Sequence, residues 1–218
     1  MTPPATVPSP PRARLRTEQK AATRRRLMNA AMQVMAEKGY AAATVEEIAS
    51  LAGASPATFY LHFKRKIDVL TAVVEDENSQ ITANAGPLPR PGVDLDVVSF
   101  KGWIERLFAT WKMLVVPHQV LGQAVLIEPE LKALQTRRLT EGIRYWEEFL
   151  EQCGVPRGKR RRAEAAVLNA QFVGLFEIWI VTQIELDAKL LTDTLTESVW
   201  QRLTSMPGSR VESGVRRV

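Results

Sequence analysis

The chain has 218 residues, of which 45% are hydrophobic, a formal net charge of +5 and one cysteine. That length allows one large domain or two small ones around a sizeable core. No apolar run approaches the roughly 20 residues of a membrane span, the N-terminal stretch has no apolar signal core, and a lone Cys153 can form no internal disulfide, so a cytoplasmic protein without a membrane partner is expected.

The charge is unevenly placed. Residues 1–66 carry 11 Lys/Arg against 4 Asp/Glu, whereas residues 67–218 carry 18 against 20. A local basic excess points to a polyanion, of which nucleic acid is the usual one, or to a solvated tail.

Residues 1–16, MTPPATVPSPPRARLR, are broken by proline and offer little to bury, which predicts a disordered basic arm. From Thr17, a plausible N-cap, Leu27, Ala31, Val34 and Met35 mark one face of a helix that Gly39 ends. Thr44 and Glu47 have capping-box spacing, and the two-turn helix behind them buries Val45, Ile48, Ala49 and Ala52 before stopping at Gly53. Ser55 is the next N-cap with Pro56 at the first helical position, and Phe59 and Phe63 share a face at i, i+4. A further helix starts near Lys66. The Pro/Gly stretch Asn84–Gly92 predicts a domain boundary.

Everything beyond that linker reads as helix. The segments are about Asp96–Val115, a short apolar helix to Ile127, Pro129–Gln152, a long helix Arg161–Leu186 and a last one over roughly Leu191–Thr204. Residues 205–218 read as a flexible tail, and the cationic run Lys159–Arg162 as a solvated patch. The prediction is an all-α protein of about nine helices, with a helix-turn-helix domain at 17–83 and a second helical domain at 93–204.

Two short helices joined by a tight Gly turn form a helix-turn-helix, whose second helix enters the major groove by its N-terminal end. Small residues there let the backbone approach base edges, which suits Pro56, Ala57 and Thr58 behind Ser55. Tyr60 and His62 are placed to donate to phosphate oxygens, Lys64, Arg65 and Lys66 add positive charge, and the next helix's N-terminal N–H groups also favour anions. Arg12, Arg14 and Arg16 suit either a minor-groove arm or a plain tail.

The stretch GYAAATVEEIASLAGASPATFYLHFKRKIDVL resembles the signature of the TetR family of transcriptional regulators, through Gly39, Thr44, Ile48-Ala49, Ala52-Gly53, Ser55, Thr58, Tyr60, His62-Phe63, Lys66 and Leu70. The resemblance implies phosphate contacts at Thr44, Tyr60, His62 and Lys66, and base-reading positions at Glu46, Pro56, Ala57 and Tyr60. It also implies a homodimer on double-stranded operator DNA and a C-terminal domain for a hydrophobic small-molecule effector. Glu46, where some relatives carry Arg or Gln, could accept only from cytosine or adenine amino groups or be repelled outward.

In the second domain, Ala163, Ala166, Ala170 and Gly174 form a small-residue stripe, and Leu191, Leu195 and Val199 recur at i, i+4, i+8. These predict a four-helix dimer interface, with packing inside the chain as the other option. Trp103, Phe108, Trp111, Phe172, Phe176 and Trp179, with His118 and Asn169, are candidates for the lining of an apolar pocket as well as for ordinary core. No cofactor or metal is expected. Two histidines, no Cys/His metal spacing and no phosphate-cradling glycine loop leave an enzyme as the weaker reading. A DNA-binding regulator controlled by a partner protein rather than by a ligand stays open.

Overall fold

The computed structural model describes residues 11–212, all helices and connections among them, with no strand. They form two compact units that divide at Val73/Val74.

The first unit contains α1 (Pro11–Lys38), α2 (Val45–Leu51), α3 (Pro56–His62) and the start of α4 (Lys66–Ala85). Its core is Leu27, Ala31 and Met35 from α1, Ile48 and Ala49 from α2, Phe59 and Phe63, and Val69 and Leu70 from α4. The turns follow the capping chemistry. The Thr44 hydroxyl accepts from Glu47 N–H at 3.3 Å, and the Glu47 carboxylate accepts from Thr44 N–H at 3.2 Å. Gly53, at φ +64°, closes α2 with Ala54 N–H donating to Ala49 O at 2.9 Å, a left-handed turn that a side chain would strain. The Ser55 hydroxyl accepts from Thr58 N–H at 3.1 Å and starts α3.

Two boundaries differ from expectation here. Helix α1 begins at Pro11, not Thr17, so residues 11–16 are helical and not a disordered arm. Proline tolerates the first helical turn, and the exposed Arg14–Glu18 pair at 3.3 Å bridges one turn further on. Residues 1–10 and the Arg12 side chain lie outside the described residues. The second difference is the linker Asn84–Gly92, which does not separate the units. Its Leu88 is buried and its N–H donates to the Tyr145 hydroxyl at 3.2 Å, while Trp103 and Arg106 donate to the Gly86 and Ala85 carbonyls that end α4. Those bonds satisfy orphan C-terminal carbonyls and hold the loop on the second unit.

The second unit adds α5 (Val97–Trp111), α6 (Val115–Val125), α7 (Pro129–Gln152), α8 (Lys159–Leu175) and α9 (Ala188–Ser205) to the remainder of α4. Helix α8 packs along α7, and α9 along α5. A side chain at Gly142 would place its Cβ 2.3 Å from Asn169 Oδ1, so the glycine permits the close approach of α7 and α8. Beyond Leu175 the helix widens into π-type turns over Phe176–Val181, with Thr182 N–H donating to Glu177 O five residues back. The predicted helix to Leu186 therefore ends early.

The Lys159–Arg162 run is only partly solvated, because Arg161 is buried, donates to Val155 O at 3.3 Å and lies 3.5 Å from Glu151. The start of the predicted flexible tail is docked too. Met206 is buried and Arg210 N–H donates to Cys153 O at 2.7 Å. By length and composition alone, Lys159–Val181 would suffice to cross a membrane.

Candidate DNA-binding surface, ligand cavity and subunit face

The exposed face of α3 carries Ser55, Pro56, Ala57 and Tyr60, with Thr58 half-buried. Phe59 and Phe63 anchor the helix from behind, their rings 5.8 Å apart, and Phe59 supports the Tyr60 ring edge-on at 5.5 Å. Tyr60 is 54% exposed, so its hydroxyl is free of the core. Thr44, Glu46 and Lys64 are exposed as well, which gathers seven of the ten predicted DNA-contacting residues at the surface of one unit.

Two of the others are used differently. The Lys66 ammonium is 2.5 Å from Tyr40 O, 3.2 Å from Ala41 O and 2.9 Å from Ala43 O, and it sits 4.5 Å from the centre of the Tyr40 ring. An ammonium has three protons, and three carbonyls take them. Lys66 therefore staples the α1–α2 connection to the start of α4, and the phosphate contact predicted for it is not available in this geometry. His62 is half-buried with its Nδ1 enclosed and unbonded. Burial, with the nearby charges of Lys20 and Arg24, pushes its pKa down, so it is a neutral group at neutral pH. The N-terminus of α4 is likewise taken: Asp68 Oδ2 accepts from Lys64 N–H at 3.1 Å and from Arg65 N–H at 2.9 Å.

The second unit encloses a cavity of about 660 Å³. That volume suits a drug-sized molecule. Trp103, Trp111, His118, Asn169, Phe172 and Phe176 line it. Phe108 and Trp179 do not line it. They pack edge to face on each other at 4.9 Å within the core, which is their correction. The sequence reading missed Tyr145 and Trp146 of α7, which face the cavity across from α8, and it missed Arg138. The seven-residue step from Arg138 to Tyr145 marks a shared helix face, a signal present in the sequence but hidden by the cations around it.

At the back of this cavity lies a buried polar cluster. Glu77 of α4 is only 2% exposed and neither carboxylate oxygen has a hydrogen-bond partner. Its Oε2 is 3.6 Å from His118 Nδ1, which also lies 3.2 Å from Leu114 O. Burial raises the Glu77 pKa to about 7, against the opposing pull of Arg138, and burial lowers that of His118 to about 4, helped by the Arg138 charge.

The small-residue stripe of α8 is open to solvent at Ala163, Val167, Ala170 and Val173, with Ala166 and Gly174 half-buried. The α9 stripe is not. Leu195 and Val199 are buried in the chain's own core and Leu191 is half-buried, because α9 packs its apolar face on α5. The predicted interface role of Leu195 and Val199 is thus corrected to core packing. What α9 exposes is Lys189, Leu190, Thr194, Glu197, Ser198, Gln201 and Ser205.

Residues 27–73 match the family "Bacterial regulatory proteins, tetR family". The uncharacterized HTH-type transcriptional regulator YvkB of Bacillus subtilis is 40% identical over 57 residues, which is 26% of this chain and 30% of that protein. The chain thus matches less than a third of the length of the curated relatives. Among solved structures, a transcriptional regulator of the TerR/AcrR family from Aquifex aeolicus is similar at 21% identity and a TM-score of 0.59, over 83% of this chain and 99% of that one. NalD, the secondary repressor of the MexAB-OprM multidrug efflux pump in Pseudomonas aeruginosa, is similar at 20% identity and a TM-score of 0.61, over 84% and 96%. At such identities these likenesses are of fold. The helix-turn-helix unit carries the match to bacterial regulatory proteins, and the solved structures share the all-helical fold. The tetR-family match covers residues 27–73, and the remainder of the chain shares the fold of the solved structures.

Proposed function

We propose that the protein is a cytoplasmic transcriptional repressor that binds a palindromic operator as a homodimer and is released by a mostly apolar small molecule. The observation that carries this reading is the exposed face of α3, where Pro56 and Ala57 leave room for base edges beside an exposed Tyr60. Thr44, Tyr60 and Lys64 supply phosphate contacts, and Glu46 and Thr58 border the base-reading face. The repressor role named for NalD supports the direction of regulation, and the aromatic cavity supports a ligand.

Tyr60→Phe removes one hydroxyl and should weaken operator binding about ten-fold, equally across operator variants. Lys64→Ala should reduce the salt dependence of binding by about one ion per subunit. Fluorescence anisotropy against operator DNA at several salt concentrations measures both. Unchanged affinity and slope in the two variants would remove this surface from the DNA interface.

The homodimer rests on the exposed stripe of α8. Small residues allow helices to approach closely, and a two-fold dimer presents one α3 to each half-site. Ala170→Asp buries an unpaired carboxylate in such an interface, a cost of several kcal/mol. The expected result is a monomer by light scattering with unchanged helicity by circular dichroism. A variant that stays dimeric would place the interface elsewhere.

A further inference from the structure

Two polar groups meet the aromatic walls of the cavity without a partner among the described residues. The first is Nε2 of His118, on α6. The Nδ1 of that ring lies 3.2 Å from Leu114 O, an oxygen that can only accept, so Nδ1 carries the proton of the neutral ring and Nε2 keeps its lone pair. Glu77 Oε2, 3.6 Å from Nδ1, stands on the same side and favours the same tautomer. Burial lowers the His118 pKa to about 4, so the ring is neutral at physiological pH. Nothing among the described residues donates to Nε2, and 17% of the side chain stays accessible where it lines the cavity beside Phe176, whose ring centre is 4.3 Å away. The second group is the carboxamide of Asn169, on α8. It is half-buried, lines the cavity and makes no hydrogen bond to the described residues. It rests over Gly142 of α7, where a methyl group would collide with its Oδ1. Asn169, Phe172, Val173 and Phe176 recur at i, i+3, i+4 and i+7 and share the face that meets the cavity, which sets Asn169 about 10 Å along the helix from Phe176 and the His118 ring.

We infer that the cavity takes an elongated, uncharged aromatic molecule with a hydroxyl group at one end, donated to His118 Nε2, and a second hydrogen-bonding group at the other, held by Asn169. The inference deepens the ligand-responsive reading above and rests on it. Between the two polar points the walls are rings: Phe172 lies 5.1 Å from Trp146 and 5.7 Å from Trp103, and Trp111 lies 5.1 Å from Phe176. Such walls favour flat aromatic groups stacked or set edge-on. At His118 the ligand must supply a donor. An ether or ketone oxygen would set lone pair against lone pair and leave Nε2 desolvated and unbonded. A carboxylate would add the same mismatch and a negative charge near the buried Glu77. The wall asks for no ligand charge, since Arg138 already interacts with Glu77 and Glu141, and Glu141 and Glu177 are exposed. Asn169 both donates and accepts, so it takes either a hydroxyl or a carbonyl.

Four probes of one shape test this by calorimetric titration at neutral pH: 4-phenylphenol, its methyl ether 4-methoxybiphenyl, 4,4′-dihydroxybiphenyl and biphenyl-4-carboxylate. The phenol is expected to bind about ten-fold tighter than its ether and than the carboxylate, and the second hydroxyl to add a further factor of about ten. His118→Phe should abolish the preference for phenol over ether while leaving ether binding unchanged. Asn169→Leu should abolish only the gain from the second hydroxyl. Gly142→Ala should do the same with Asn169 still present, because the added methyl pushes the carboxamide aside. Equal binding of phenol and ether, tighter binding of the carboxylate, no gain from the second hydroxyl, a phenol preference that survives His118→Phe, or no binding by any probe overturns the inference. The probe series on the native protein stands even if a variant does not fold. Operator affinity is read separately. Phenol binding that never alters it would sink release by ligand and leave the hydroxyl site in place, whereas equal release by phenol and ether would keep the apolar-effector reading and sink this one.

Discussion

Replacing Lys66 with Met is expected to destabilise the DNA-binding unit by about 3 kcal/mol, and to abolish operator binding only through that loss of structure. Methionine keeps an unbranched stem but removes the ammonium that holds Tyr40 O, Ala41 O and Ala43 O. Hydrogen bonds to a charged group contribute about 1.5–3 kcal/mol each, and the contributions of one shared donor do not add fully. Two of these three bonds are part-buried, so water replaces them poorly. Lys64→Ala is the control, since Lys64 is exposed and its backbone N–H, not its side chain, serves the Asp68 cap. Amide hydrogen exchange over residues 27–73 separates the two roles. Faster exchange in Lys66→Met with native exchange in Lys64→Ala supports the staple. Native exchange in Lys66→Met with a flattened salt dependence of DNA binding would return Lys66 to the phosphate backbone.

Glu77→Gln is expected to raise the melting temperature at pH 8 by about 6–12 °C more than it does at pH 5. Glu77 has a pKa raised from 4.5 to about 7, so the folded protein favours its neutral form. Stability from that group is full below pH 4.5, falls as pH rises through 7, and stays low above it. The difference amounts to about 3 kcal/mol. His118 runs the other way, with a pKa lowered from 6.5 to about 4: it contributes fully above pH 6.5 and loses stability as pH falls toward 4. Between pH 4.5 and 6.5 the two slopes oppose each other and the native protein is nearly flat. The glutamine variant keeps only the histidine slope. Arg138, whose charge opposes the rise of the Glu77 pKa, stays charged across this range. Differential scanning fluorimetry at the two pH values decides it. A shift of equal size at both would mean that Glu77 is ionised in the fold at either pH.

Much of the first unit was legible because its signals are local. Thr44 with Glu47, Gly53, and Ser55 with Pro56 each determine a backbone conformation within four residues, and the structure forms each cap as the spacing predicts. What Lys66 does was not legible. Its acceptors lie 23 to 26 residues away, and a lysine beside Lys64 and Arg65 reads as one more surface cation. The same limit applies to the cavity. Clustered aromatics in α5 and α8 announced a pocket, but which of them face it depends on helix rotation, and that sent Phe108 and Trp179 into the core. Arg138 and Glu77 became candidates only through burial, which no short-range pattern encodes. The α9 stripe shows the ambiguity of apolar periodicity: Leu195 and Val199 mark a buried face whether the partner is a second subunit or, as here, α5.

Recognition of DNA by α3 is tested most directly by selecting duplexes from a randomised pool with the native protein. The anisotropy of the enriched site is then measured beside a scrambled duplex. The expected result is an inverted repeat whose half-sites suit two recognition helices one helical turn apart, bound at least a thousand-fold tighter than the scrambled duplex at physiological salt, with Ala57→Asp reducing both to the same weak affinity. Enrichment of no common sequence, or an Ala57→Asp variant that still prefers the selected site, would contradict sequence reading by this helix.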